Sequence, residues 1–203
     1  MPDKIHIFWD NSNIFIPACF AATKREKGFA DTAVRIQFDN LVKLARAGRE
    51  LSGAMCVGSV PPDLRKVWER LEGDTGVKPE LYERGAATNK EQGVDQCLQV
   101  HMLRAVTDHP PGVAVLLTGD GAGYDEGIGY RADLERMHKH GWGIEVLSWN
   151  SACNRGLKEW VQAVGVYVPL DTFYGSVTFI EGGRKSQPLS LTHRHYAHPI
   201  PKE

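Results

Sequence analysis

Short apolar segments alternate along this chain with longer segments whose apolar residues recur every three or four positions. The clearest short segments, Ile5–Trp9 and Val113–Leu117, are rich in strand-forming residues and stop at polar or glycine-rich clusters. The longer segments, such as Val94–Val106, carry their apolar residues on one side of a helix. Strands alternating with amphipathic helices predict a mainly parallel sheet covered on both faces by helices, which is a three-layer α/β sandwich.

The same patterns predict the remaining elements. Further strands are expected at Leu51–Val60, Glu80–Arg84 and Ile144–Trp149. Further helices are expected at Val34–Ala47, Pro61–Gly73, Arg131–His140 and Leu157–Val164. The segment after the first strand contains Lys24, Arg25 and Lys27, and it is predicted to be a long polar loop.

The length of the chain fits one domain with an extension. Its 203 residues can bury one substantial core, so we predict a domain at residues 1–165 and a C-terminal extension at residues 166–203. The apolar stretches Val166–Leu170 and Ser176–Ile180 suggest an additional sheet edge or a homodimer contact. From about Gly182 the sequence is rich in basic residues, proline and glycine, which predicts a flexible basic tail.

Charge and hydropathy exclude several classes of protein. The formal net charge of −1 argues against attraction to nucleic acid over the whole surface, so contact with RNA or DNA requires a local patch. No apolar run reaches the roughly 18 residues of a membrane span. The start of the chain, Met1–Ile7, also lacks the apolar core of a signal peptide. A cytoplasmic protein without membrane contact is therefore predicted.

The cysteines are spread singly along the chain, at Cys19, Cys56, Cys97 and Cys153. Because they form no CxxC pair, their spacing predicts neither a zinc site nor a disulfide framework. Buried free thiols in a reducing compartment are the expectation.

Aspartates stand where predicted strands end. Asp10 and Asn13 share one turn after the first strand, Asp120 follows Val113–Leu117 in a glycine-rich turn, and Asp125 comes five residues later. Asp95 stands at the start of a predicted helix. In a parallel sheet, ligands bind outside the carboxyl ends of the strands, so these carboxylates are expected to meet at one edge.

Carboxylates that converge repel one another unless a cation lies between them. Oxygen ligands without histidine or cysteine at ligand spacing favour Mg²⁺ or Mn²⁺, which can activate water for phosphodiester hydrolysis. Taken singly, each aspartate is more often a helix cap than a ligand. The prediction of a metal site rests on several aspartates occurring together at strand ends. Asp133 lies inside a predicted helix, so we predict a structural role for it.

Three segments, in order, resemble the motif blocks of the NYN domain, a branch of the PIN-like ribonuclease superfamily. They are FWDNSNIF, NKEQGVDQCLQVHML, and VLLTGDG followed by a helix and GWGIEVLSW, over about residues 3–150. The resemblance implies a PIN-like, Rossmann-like sheet, an acidic centre for Mg²⁺ or Mn²⁺, and endonucleolytic attack on RNA, often single-stranded.

The resemblance also implies site residues. Asp10, Asp95 and Asp120 match the family's acidic residues and would hold metal, and Asn13 matches the asparagine three residues after the first aspartate. This sequence departs from the pattern after Asp120, because Ala122 stands where the family commonly has a second acidic residue.

An enlarged loop would let Asp125 serve as the fourth ligand in place of Ala122. Lys90 lies in a segment where the family usually carries a lysine, and with Thr118 of the Thr-Gly-Asp turn it is a candidate substrate-binding residue.

The leading functional prediction is a Mg²⁺- or Mn²⁺-dependent endoribonuclease. A second is a PIN-like module that has weakened catalysis and binds nucleic acid or a protein partner. The reason for considering it is Ala122, which replaces an acidic residue of the family. A third is a phosphohydrolase of small metabolites with Asp10 as nucleophile. Against the third, no aspartate follows Asp10 two residues on, and no later catalytic lysine motif is evident.

Overall fold

The structure, a computed structural model, describes residues 3–59, 65–82, 94–122 and 124–201. The strands are β1 Lys4–Asp10, β2 Val34–Ile36, β3 Glu50–Ser59, β4 Lys78–Tyr82, β5 Val113–Leu117, β6 Gly143–Ser148, β7 Val166–Pro169 and β8 Thr178–Ile180. The α-helices are α1 Asn11–Arg25, α2 Phe38–Arg46, α3 Arg65–Thr75, α4 Val94–Asp108, α5 Gly129–Lys139, α6 Arg155–Val164 and α7 Tyr174–Val177.

Six of the described strands form one parallel sheet in the order β4-β3-β1-β5-β6-β7. The first strand lies at its centre, between β3 and β5. Strands β2 and β8 pair antiparallel in a separate small sheet. Because the strands of the main sheet run the same way, their last residues share one edge, here called the carboxyl edge, and their first residues share the opposite amino edge.

Helices cover both faces of the main sheet. On one face, Ile14 of α1, Leu41 of α2 and Leu71 of α3 pack in one apolar layer. On the other face, Leu98 of α4 and Leu157 of α6 belong to a second layer, together with residues of α5. Alternate residues of the central strand enter different layers, as expected for a strand buried on both sides. The predicted three-layer α/β sandwich, a PIN-like Rossmann-type fold, is confirmed.

Two predicted elements differ from the structure. The segment after β1 was expected to be a polar loop, but it forms the helix α1, which buries Ile14, Ala18 and Ala22 at four-residue spacing. Pro17 inside this helix obscures the pattern. The helix expected from Val34 begins only at Phe38, because residues 34–36 pair with β8 instead. A strand partner far along the chain therefore overrides the local helical spacing.

The amino edge of the sheet is closed by residues that follow β8. Arg194 is 7% exposed and joins Arg49 at the buried carboxylate of Glu145, which also accepts a hydrogen bond from the Ala197 N–H at 2.7 Å. The Ile200 N–H donates to the carbonyl of Gly141. The described part of the segment expected to be a flexible tail thus packs against the domain, because its arginine neutralises a buried acid. The domain boundary at residue 165 stays a prediction.

Among the described helices, none combines the length and the apolar content that crossing a membrane requires.

Candidate active site

The carboxyl edge brings together the ends of β1 and β5. These strands are hydrogen-bonded neighbours, with Trp9 paired to Leu117. Asp10 is the last residue of β1, and Asp120 lies three residues beyond the end of β5. Since neighbouring strands are about 4.8 Å apart, the turns that carry the two aspartates are adjacent.

The Asp10 side chain is buried and oriented by its neighbours. Asp10 is 1% exposed and caps the N-terminus of α1, with Oδ1 accepting the backbone N–H of Asn13 at 3.1 Å. The side-chain amide of Asn13 donates to Asp10 Oδ2 at 2.5 Å. The cap and the orienting asparagine are both present, so the structural and the functional interpretations of Asp10 are compatible.

Tyr130 is a site residue that sequence reasoning did not select. It lies in the first turn of α5, is 2% exposed, and packs in the same apolar layer as Leu98. Its hydroxyl nevertheless reaches Asp10 Oδ2 at 3.5 Å. The ring thus serves packing, and the hydroxyl adds a donor at the carboxyl edge. A usable signal was its position at the start of the helix that follows the Asp120 turn.

The turn after β5 is held by its own polar groups. Thr118 is fully buried, and its hydroxyl accepts the backbone N–H of Asp120 at 3.2 Å. Asp120 Oδ1 accepts the N–H of Ala122 at 2.9 Å. A fully buried hydroxyl in this arrangement positions the turn. The binding of substrate by Thr118 stays a prediction.

The glycines of this turn allow a close approach by the chain's own backbone. A Cβ on Gly119 would lie 2.6 Å from the carbonyl oxygen of Ala152, and one on Gly121 would lie 2.4 Å from the Asn154 side chain. The Asn154 N–H donates to the Gly119 carbonyl at 2.7 Å. These glycines therefore let the turn pack against the loop after β6.

Helix α4 points its first turn at the same edge. Four residues separate its last residue, Asp108, from the start of β5, so the helix runs antiparallel to the strand that follows it. Asp95, in the first turn of α4, is therefore placed towards the carboxyl edge. Lys90 lies outside the described residues.

Asp125 and Asp133 have other surroundings. Asp125 is exposed in a short 3₁₀ helix, residues 124–126, and lines a surface cavity with α5 residues that include Glu135 and Arg136. Asp133 is 3% exposed and accepts from Gln99 of α4 at 2.8 Å and from Arg136 at 2.6 Å. Asp133 therefore joins α4 to α5, as its assignment to structure predicted, while Asp125 as fourth metal ligand remains a prediction.

Electrostatics and donor chemistry at the carboxyl edge suit a hard cation. Burial and, secondarily, the carboxylate of Asp10 raise the pKa of the Cys56 thiol well above its usual value, so this neighbour stays protonated. The side-chain oxygen of Asn11, the residue after Asp10, is buried and has no hydrogen-bond partner within the described part of the chain. Carboxylate and amide oxygens are the ligands that Mg²⁺ and Mn²⁺ prefer.

The parallel sheet with helices on both faces, and the aspartates at its carboxyl edge, together define a PIN-like domain. The family model of the NYN domain matches residues 4–167, and the chain belongs to that family. Membership implies a nuclease-type function related to RNA, and nucleases of this family generally depend on a divalent metal. Searches of curated proteins and of solved structures returned no match.

Proposed function

We propose that this protein is a Mg²⁺- or Mn²⁺-dependent endonuclease that hydrolyses phosphodiester bonds in single-stranded RNA. The observation that carries the proposal is the pair of aspartates at the carboxyl ends of the neighbouring strands β1 and β5, Asp10 as the last residue of β1 and Asp120 in the turn after β5, in a chain of the NYN family. Asp10 and Asp120, with Asp95 from the first turn of α4, would hold the cation.

The bound cation would supply Lewis-acid chemistry, activating water and neutralising charge on the phosphate. The residues around it serve orientation. Asn13 fixes the carboxylate of Asp10 through two hydrogen bonds, and the Tyr130 hydroxyl adds a third donor. Thr118 fixes the backbone on which Asp120 stands. Rigid placement of this kind lets the ligands meet the cation without reorganising during the reaction.

Helix α1 offers a path for a single strand that leads away from this centre. Phe20 is 62% exposed and Ile16 is 47% exposed, although both are large apolar side chains. Lys24 follows Phe20 one helical turn later. Exposed aromatic rings stack on unpaired bases, and lysines contact phosphates, so this face suits single-stranded RNA. Phe20 is ten residues from Asp10, or about 15 Å along the helix. We further propose Lys90 as a phosphate contact.

The test is cleavage of a labelled single-stranded RNA with Mn²⁺, with Mg²⁺ or with EDTA, beside duplex RNA and single-stranded DNA of the same sequence. We expect cleavage of the single-stranded RNA that EDTA abolishes. Asp10→Asn and Asp120→Asn should each lower the rate at least about a hundredfold, because each removes a metal ligand. Asparagine caps helices as well as aspartate does, so Asp10→Asn should still fold.

Asp39→Asn is the matched control, since Asp39 is an exposed carboxylate on α2 that pairs with Lys43. It should leave the rate unchanged. Asp125→Asn decides the fourth ligand: a loss as large as that of Asp120→Asn would place Asp125 in the centre. Folded wild-type protein that binds the RNA but cuts it with neither metal would contradict the proposal and favour the non-catalytic module that Ala122 suggests.

A further inference from the structure

A second cluster of metal-ligating side chains lies between β4 and α4. It consists of Glu80, Cys97 and His101, whose ligand atoms all lie within 4.8 Å of one another. Cys97 and His101 are four residues apart on α4 and so share one face of the helix, which packs beside the edge strand that carries Glu80. The spacing of the cysteines does not reveal this cluster, because Cys97 is its one cysteine and Glu80 comes from a distant strand.

The carboxylate of Glu80 is already oriented towards the other two groups. Glu80 Oε2 lies 3.2 Å from His101 Nε2, and the Tyr82 hydroxyl donates to Glu80 Oε1 at 2.7 Å. The hydrogen bond from Tyr82 is the largest cause that lowers the pKa of Glu80, so the carboxylate is ionised. A metal ligand whose orientation is fixed by a hydrogen bond from a neighbour is the usual arrangement in protein metal sites.

We propose that Glu80, Cys97 and His101 form a binding site for a borderline-soft divalent cation such as Zn²⁺. With metal–ligand bonds of about 2.0–2.3 Å, tetrahedral ligands are roughly 3.3–3.8 Å apart, so small side-chain rotations bring these three into range. A thiolate, an imidazole and a carboxylate select Zn²⁺ over Mg²⁺ or Mn²⁺. Binding converts the Cys97 thiol to thiolate and releases its proton to solvent.

The cluster is accessible to an ion. The side chains of Glu80 and His101 are 43% and 26% exposed, which leaves an entry path and room for water as a fourth ligand. An ion here would join the edge strand to α4 and stabilise the contact between them.

This ion is separate from the one proposed for the acidic centre. Glu80 is paired with Val57 of β3, and Val57 is paired with Asp10. Two strand spacings, roughly 9–10 Å between Cα atoms, therefore separate Glu80 from Asp10, and the cluster binds its ion through ligands that the acidic centre does not use. Binding at the cluster can be measured whether or not the protein cleaves RNA.

The test is a titration of metal-free full-length protein with Co²⁺, followed by displacement with Zn²⁺. Cobalt bound by a thiolate gives a sulfur-to-metal charge-transfer band, and we expect one equivalent of Co²⁺ to produce it. Cys97→Ala should abolish the band, and Glu80→Gln and His101→Gln should each weaken Zn²⁺ binding at least about tenfold. Both glutamine variants change partly exposed side chains, so they keep the proposal testable if Cys97→Ala folds poorly.

Cys153→Ala is the matched control, because Cys153 is a free, half-buried cysteine beyond β6 that belongs to no such cluster among the described residues. It should keep the band, as should Asp10→Asn. No band in wild type, a band that survives in Cys97→Ala, or Zn²⁺ affinity unchanged in both glutamine variants would each overturn the proposal.

Discussion

Each edge of the main sheet buries a carboxylate, and the two are held in different ways. At the amino edge, Glu145 is fully buried and accepts from Arg49 at 2.7 and 2.9 Å, with Arg194 as a second guanidinium partner. At the carboxyl edge, Asp10 is equally buried, and its donors include the neutral groups of Asn13 and Tyr130. Arginines neutralise the first acid, whereas these neutral donors orient the second.

The different partners of the two acids suit different roles, a structural one for Glu145 and cation binding for Asp10. A buried acid between two arginines closes the amino edge and ties the C-terminal segment to β6. A buried acid that neutral donors hold in one orientation is suited to binding a cation from solution. Burial alone therefore does not distinguish the two acids; we expect the charge of the partners and the edge of the sheet to do so.

The largest expected effect is a loss of stability when the buried acid of the amino edge is replaced. Glu145→Gln leaves two buried guanidiniums facing a neutral amide, and we expect the free energy of unfolding to fall by about 3–5 kcal/mol. Urea titration of wild type and variant would measure it. The cleavage rate per folded molecule should stay unchanged, because the acidic centre is at the other edge.

Glu159→Gln is the comparison for this variant, since Glu159 forms an ion pair with Arg155 on the exposed face of α6. Its urea midpoint should remain close to that of wild type. If Glu145→Gln were as stable as Glu159→Gln, the buried cluster would not be what closes the amino edge.

A smaller effect is expected at the carboxyl edge. Tyr130→Phe keeps the ring in the apolar layer but removes the hydroxyl near Asp10. We expect RNA cleavage to slow by about tenfold, because the loss of an orienting donor disturbs Asp10, the proposed metal ligand. The free energy of unfolding should change by no more than about 1 kcal/mol. The rate measured in saturating Mn²⁺ and the urea midpoint separate these two effects.

Tyr196→Phe removes a hydroxyl from the amino edge, where the ring of Tyr196 lies under the guanidinium of Arg49. It should not alter cleavage. Equal rates for Tyr130→Phe and Tyr196→Phe would mean that the Tyr130 hydroxyl serves packing alone.

The two edges also differ in how far the sequence revealed them. Asp10 and Asp120 could be placed at one edge from the positions of two strands, since parallel strands bring their ends together. For Tyr130 the sequence offered only its position at the start of the helix after the Asp120 turn, because its contact with Asp10 depends on how α5 is rotated against the sheet. The Glu145 cluster was missed for a similar reason: its partners are 96 and 49 residues away along the chain, and no local pattern links them.

The fold was predictable where local patterns agreed with the tertiary pairing. The strand Val113–Leu117 has the predicted bounds because it is apolar throughout and buried on both faces. Helix α1 was missed because Pro17 and exposed apolar residues such as Phe20 mask its buried face. Residues 34–36 were misassigned because their partner, β8, is about 140 residues distant along the chain.

The effect expected to be smallest at neutral pH concerns His6, four residues before Asp10 on the same strand. His6 is 5% exposed, and its ring packs against His109 and Trp142. Burial and, to a lesser extent, the charge of His109 lower the pKa of His6 from 6.5 to about 4. Between these two pH values, His6 is therefore neutral in the folded protein but protonated in the unfolded chain.

Stability should therefore fall as the pH is lowered from about 6.5 to about 4, with no contribution from His6 above that window. His6→Phe removes the titrating group, so the wild-type urea midpoint should drop faster with falling pH than that of the variant. His109→Ala should recover part of the loss by removing the second cause. Parallel curves for wild type and His6→Phe would show that His6 is protonated as readily in the fold as in the unfolded chain, and the amino half of β1 would then be more open to water than its burial implies.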